Sequence, residues 1–186
     1  MNTEVSRTST DNSADGTADA GPRLRPGHEG DLSELTRIYN HYVAETPITF
    51  DIDRFTVEQR RPWLESHPDH GPYRLIVAER NGTVIGYATS SPFRPKKAYE
   101  TSVETSVYLA PEQVGRGVGG LLYEALFDAL AGEDVRQALA AVTVPNAASE
   151  RLHLRLGFEP AGVHREVGRK FGRFWDVAWF QKALAR

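Results

Sequence analysis

Seven residues, VGRGVGG at 114–120, carry the densest chemical signal in this 186-residue chain. They lie between a β-rich run and a helical one, so successive backbone amides and the helix N-terminus together form a cradle for an anion. Glycine suits such a turn because a Cβ would block the close approach of a phosphate. A P-loop needs Lys and then Ser or Thr after the last glycine, whereas Leu121 and Leu122 follow here. Gly115, Gly117 and Gly120 do spell GxGxxG, but the acidic residue a dinucleotide fold wants about 20 positions on is replaced by an apolar stretch, 140–144. Pro111, Glu112 and Gln113 also separate the preceding strand from the glycines. A plain glycine-rich turn and a phosphate cradle of another kind both stay open on this motif alone.

Glu104 is the second candidate. In the run YETSVETSVYL (99–109), alternation puts it on one face with Ser102 and Ser106. Such a carboxylate is either solvated on a half-exposed sheet or placed to accept a proton, and the residues alone weigh the two evenly. Just before it, PFRPKKAY (92–99) brings Arg94, Lys96 and Lys97. These cations suit a carboxylate or phosphinate group, or equally a solvated loop. Tyr99 and Phe50 are aromatic candidates for a pocket wall. His67 and His70 flank Pro68 and Asp69 with a metal-like spacing, yet no further ligand clusters with them, so no metal is expected. No G-x-S-x-G elbow occurs, and serine-hydrolase chemistry has no support.

The elements that must position these residues follow from periodicity and punctuation. An extended PRLRP (22–26) precedes a helix capped by Asp31, with Leu32, Leu35, Ile38, Tyr39 and Tyr42 at helical spacing. A second helix fits 57–66. Two β-rich runs, 73–80 and 83–93, meet at Asn81-Gly82, a hairpin signal. The 99–109 strand and the glycine turn lead into a helix whose stripe is Leu121, Leu122, Ala125, Leu126 and Ala129. A short strand (138–144), a helix from Pro145-Asn146 to Leu156, and strands at 160–170 and 174–184 complete the chain. This order predicts a mixed α/β (α+β) domain on one central, mostly antiparallel twisted sheet flanked by helices, over residues 22–186. Residues 1–21, rich in Ser, Thr, Asp and Gly, are expected to form a disordered tail.

Composition narrows the function. A formal net charge of -3 argues against a general nucleic-acid binder. No apolar run approaches the roughly 20 residues of a membrane span, and the N-terminus has no signal-peptide core. The chain contains no cysteine, which removes thiolate chemistry and fits a cytoplasmic location.

Taken in order, IYNHYV (38–43), PFRPKKAYETSVETSVYL (92–109), VGRGVGGLLYEAL (114–126), PNAASERLHLRLGF (145–158) and GRKFGRFWDV (168–177) resemble the GNAT acetyltransferase superfamily. Within it, the chain is similar to the phosphinothricin / methionine sulfoximine N-acetyltransferase family. That resemblance implies a GNAT fold, acetyl-CoA as co-substrate, a small-molecule amine as acceptor, direct attack and a homodimer. It implies Glu104 as general base, and His153 beside the leaving sulfur as a general acid, although His153 could equally be a packed helix residue. It implies cofactor contacts from Val107, Tyr108 and Leu109, with oxyanion-stabilising amides near the last two. Further cofactor contacts fall on Val114, Gly115, Arg116, Gly117, Val118, Gly119, Gly120, Asn146 and Ser149. Substrate contacts fall on Phe50, Arg94, Lys96, Tyr99 and Glu104, and Lys170, Phe171 and Trp175 resemble a subunit interface and site wall. The pattern departs at Val114, where the family has Gln or Arg, and Arg116 is the nearby replacement for that charge. Two alternatives accompany this reading: acetylation of a protein or peptide amine, and a non-catalytic acyl-CoA-binding module.

Overall fold

The computed structural model describes residues 21–184, so the expected tail falls outside the described residues apart from Gly21. Strand β1 (Arg23–Pro26) is followed by helices α1 (Leu32–Glu45) and α2 (Val57–Glu65). The five apolar positions expected to face inward on α1 are all buried. Asp31 stands at the N-cap of α1 but makes no side-chain capping bond there. Its carboxylate instead accepts two bonds from the Arg25 guanidinium, at 2.7 and 2.8 Å, and one from the His28 N–H at 2.8 Å. A charge-assisted fork is stronger than one capping bond, so Asp31 ties α1 to β1 rather than closing its own helix. Helix α2 opens with a reciprocal cap between Thr56 and Gln59.

Strands β2 (Leu75–Arg80) and β3 (Thr83–Pro92) form the expected hairpin. Strand β4 (Ser102–Leu109) starts later than its sequence suggests, because Lys97–Tyr99 coil into a single 3-10 turn after Pro95. Helix α3 (Val118–Leu130), strand β5 (Gln137–Val144), helix α4 (Ala147–Arg155) and the long hairpin β6 (Glu159–Lys170)–β7 (Arg173–Ala183) follow. Together the strands form one seven-stranded sheet in the order β1-β2-β3-β4-β5-β7-β6. Every pairing is antiparallel except β4 with β5.

Helix α3 covers one face of the sheet, packing Leu122, Tyr123 and Leu126 on Val103, Ala138 and Ala140. Helices α1 and α2 cover the other, with Leu35, Ile38 and Leu64 over Val77, Val84 and Tyr87. The parallel seam is short: only Ser102, Val103 and Glu104 pair, with Gln137, Ala138 and Leu139. Strand β4 continues to Leu109 and β5 to Val144, so the two strands part beyond Glu104 and open a cleft in mid-sheet.

The α1–α2 loop closes over one side of that cleft, and β6 holds it down. Lys170 Nζ, buried, donates to the Thr49 carbonyl at 2.7 Å and the Tyr42 carbonyl at 3.4 Å. At Gly168 the backbone lies flush against Phe50, and a Cβ there would come within 2.1 Å of the ring. Overpacking of this kind costs about 1–3 kcal/mol. Gly168→Ala is therefore expected to lose stability in that range in urea denaturation, with an unchanged m-value.

Candidate active site

Glu104 stands at the last residue pair of the parallel seam, half-buried, on the face shared with Ser106 and Tyr108. It lines a cavity of about 440 Å³ with Phe50, Arg94, Ser106, Tyr108, His164 and Trp179. Burial raises its carboxyl pKa, Arg94 opposes this, and the balance stays above the ordinary glutamate value. Arg94 is exposed and lies over the rings of Phe93 and Trp179, with its guanidinium 4.6 and 6.0 Å from their centroids. The cavity thus joins a proton acceptor with a raised pKa to a cation able to hold an anionic group.

A narrow neck runs from this cavity through the opening between β4 and β5. Ser106, Tyr108, Ala141 and Thr143 line both, and the neck adds Val107, Tyr123, Asn146, Ser149 and His153. The Ala110 N–H bonds to the Ile85 carbonyl, which fixes the phase of β4 against β3. By the alternation of an antiparallel ladder, Tyr108 directs its backbone groups to β3, whereas Val107 and Leu109 direct theirs into the opening. Leu109 is engaged there by the Tyr42 hydroxyl, which donates to its carbonyl at 2.7 Å and accepts its N–H at 3.4 Å. Among the amides expected near Tyr108 and Leu109, this phase singles out the adjacent Val107 N–H as the one facing the neck.

His153 is 3% exposed, between Tyr123, Phe158 and Phe180. Its Nδ1 lies 2.8 Å from the Ser149 carbonyl and so carries the proton, which leaves Nε2 to accept from the Tyr123 hydroxyl at 3.0 Å. Burial lowers its pKa, against the bond to Ser149, and the ring is held neutral at physiological pH.

Beyond the neck lies a cavity of about 590 Å³ lined by Val114, Gly115, Gly117, Gly119 and Gly120 together with Asn146, Ser149, Arg151, Leu152 and Arg155. Val107, Asn146 and Ser149 line both spaces, so the passage is continuous across the sheet. Gly115 and Gly117 both have φ of +81°, a conformation that glycine adopts without strain, and nothing lies within 4 Å of where a Cβ would stand. The turn therefore presents bare backbone ahead of α3. Asn146 caps α4, its Oδ1 accepting the Ser149 N–H at 3.1 Å, while it also faces the passage.

Other expected residues lie elsewhere. Lys96 and Tyr99 are exposed and outside the cavity lining, and Tyr99 packs edge-on against Phe93. Arg116 points to solvent from the turn, and the Val118 side chain is buried in the core. Lys170 acts on the covering loop, Phe171 is exposed at the hairpin turn, and the Trp175 indole donates to the Lys170 carbonyl. His67, which carried the metal-like spacing, is tied to the Trp63 carbonyl and Ser91. Sequence reasoning missed Arg151 and Arg155, one helical turn apart and both facing the glycine turn. Their i, i+4 spacing behind a capping Asn was the available signal. It also missed His164 and Trp179, whose position depends on a hairpin folding back over the site.

Comparison with known proteins gives the family of the chain. The Acetyltransferase (GNAT) domain family matches residues 24–179. The phosphinothricin N-acetyltransferase of Streptomyces coelicolor is 61% identical over 91% of this chain and 99% of its own. The L-methionine sulfoximine/L-methionine sulfone acetyltransferase of Pseudomonas paraeruginosa is 34% identical over 87% of this chain and 94% of its own. A GNAT superfamily phosphinothricin acetyltransferase from Sinorhizobium meliloti, solved in complex with acetyl-CoA, superposes with a TM-score of 0.82 at 33% identity, covering 89% of this chain and 90% of that one. On these matches this chain is a member of the GNAT acetyltransferase family.

Proposed function

We propose that this protein uses acetyl-CoA to acetylate the amino group of a small amino-acid-like substrate of the phosphinothricin or methionine sulfoximine type. The observation that carries the reading is the continuous passage from the glycine turn, through the neck, to the half-buried Glu104. The substrate class is supported by the names of the relatives and by Arg94 beside Glu104.

The residues present fit the co-substrate. The backbone of 114–120 offers amides to a pyrophosphate, and Arg151 and Arg155 add charge that the missing Gln or Arg at position 114 does not. Asn146, Ser149 and Val107 line the way for a pantetheine arm. Acetyl-CoA supplies an acetyl group already activated as a thioester. Glu104 accepts the proton of the substrate ammonium, directly or through water, which frees the nitrogen lone pair to attack the acyl carbon. The Val107 N–H, beyond the last β4–β5 pair, donates to the oxygen on which charge develops. The C–S bond then breaks, and the sulfur leaves as thiolate and takes up a proton, giving an amide and free thiol. That proton is the second one lost by the attacking nitrogen as it becomes an amide, relayed through water in the passage. His153, the expected donor, keeps its one N–H on the Ser149 carbonyl with Nε2 accepting from Tyr123, so we give it a positioning role at the neck.

A homodimer in the cytoplasm is part of the same reading. Val163, Val167, Phe171 and Phe174 are each more than half exposed on the β6–β7 hairpin, whose β6 is a sheet edge. An apolar edge of this kind calls for a partner. His164 and Val167 also line the Glu104 cavity, so a second copy on the hairpin would complete the site wall. Sedimentation equilibrium should give twice the 20.7 kDa chain mass, and Phe174→Glu should shift it toward the monomer.

Glu104→Gln should lower kcat by about 10²–10⁴-fold, the usual contribution of a positioned base, while calorimetry finds acetyl-CoA bound as in the wild type. The active form of Glu104 is the carboxylate and burial raises its pKa. The wild-type rate should therefore fall as pH drops through a value above the ordinary 4.5, and Glu104→Gln should lose that limb. A variant retaining the wild-type rate would remove Glu104 from the mechanism.

A further inference from the structure

A separate cavity of about 340 Å³ lies between helices α1 and α2 and the outer part of the sheet. Its walls are Tyr39, Arg60, Trp63, Tyr87, Ser106 and Tyr108, with Asp51, Phe55 and Gln59 at the loop side and Thr89 and Ser91 on β3. Arg60 is 6% exposed and its guanidinium is sandwiched between aromatic rings, 3.7 Å from the Trp63 centroid and 4.3 Å from that of Tyr39. Its Nε and Nη2 are buried with no partner at good hydrogen-bond geometry, and so is the Tyr87 hydroxyl in the same wall, although that hydroxyl lies close enough to feel the guanidinium. Arg60 forms no ion pair among the described residues. Asp51 lines the same cavity, but its carboxylate accepts from the Tyr39 hydroxyl. A buried cation with two parallel N–H groups unused is costly to keep unless something is there to accept them. Nε–H and Nη2–H form the edge of a guanidinium that meets two oxygens of one group at once.

The place of this cavity gives the pairing its meaning. Ser106 and Tyr108 line it, and they also line the Glu104 cavity and the neck. The three spaces therefore meet at one point on β4, where an amine arriving from one side faces the acyl group arriving through the neck. From that junction one arm leads to Arg94 and the other to Arg60. We propose that the Arg60 cavity is a second substrate subsite, which takes the far end of the amino-acid-like acceptor and recognises paired terminal oxygens on phosphorus or sulfur, such as a phosphinate or a sulfone. Arg94 then holds the α-carboxylate, and the amine lies between the two cations. This assignment rests on the proposed acetylation of such substrates. Aromatic rings on both faces of the guanidinium fix its plane, so the donor edge is preorganised before a ligand arrives.

The test compares methionine sulfone with methionine, which differ only by the two oxygens, and adds phosphinothricin. The readout is the ratio of kcat/KM for the sulfone to that for methionine, in the full-length protein. Arg60→Met should lower this ratio at least tenfold, mainly through KM, and should lower phosphinothricin turnover in parallel. Arg60→Lys should restore part of it, since it keeps the charge and loses the fork. Tyr87→Phe, which removes one hydroxyl and leaves the packing, keeps the proposal testable if Arg60→Met fails to fold, and should lower the ratio several-fold. A purely structural Arg60 would scale both substrates alike, and an unchanged ratio in these variants would overturn the subsite while leaving the acetylation intact. A wild type that turns over none of the three compounds would overturn the acetylation reading, and the subsite with it.

Discussion

The parallel seam between β4 and β5 is three residue pairs long, and the rest of the molecule is organised around its ending there. A sheet that stayed closed would satisfy the backbone of β4 with β5 and leave nothing to reach through. Once the strands part, Thr105, Val107 and Leu109 direct backbone groups into an opening, and something other than a strand must meet them. Tyr42 meets Leu109, Thr105 bonds through its hydroxyl to the Leu139 carbonyl, and the groups of Val107 face the passage. The opening is kept from collapsing by what lies on each side of it. Helix α3 and Phe158 pack Tyr123 and His153 behind it, and the α1–α2 loop, tied by Lys170, covers the front.

This arrangement divides the electrostatics. On the α4 side, backbone amides of the glycine turn and the guanidinium groups of Arg151 and Arg155 surround a space suited to phosphates. On the other side, one half-buried carboxylate shares its cavity with Arg94, and the neighbouring cavity holds Arg60, both cations lying on aromatic rings. Desolvation raises the Glu104 carboxyl pKa above that of a surface glutamate, and Arg94 opposes the shift. The chain has a net charge of -3, so its cations are local instruments rather than a general field.

Much of this was legible in the sequence because it is local. Helical spacing marks the buried stripe of α1, Asn81-Gly82 marks the β2–β3 hairpin, and alternation puts Glu104 on the face of Ser106. The glycine turn and the capping Asn146 were visible for the same reason, since backbone conformation and capping depend on neighbours in the chain. What escaped depends on packing between distant segments. Asp31 reads as a helix cap until Arg25 is brought beside it, and Lys96 and Tyr99 read as site residues until Pro95 and the following turn carry them outside. His164, Trp179 and Arg60 are placed by a hairpin and a helix folding over the sheet, and no spacing in the chain foretells that.

On the proposed reading, the passage delivers an acetyl group to a free, amino-acid-like amine. The most direct test is thiol release from acetyl-CoA by the wild-type protein with phosphinothricin, methionine sulfoximine, methionine sulfone, unmodified amino acids and short peptides offered in turn. Saturable turnover is expected with the first three, with an N-acetylated product by mass spectrometry and no turnover of peptides. Turnover of peptides alone would contradict that reading.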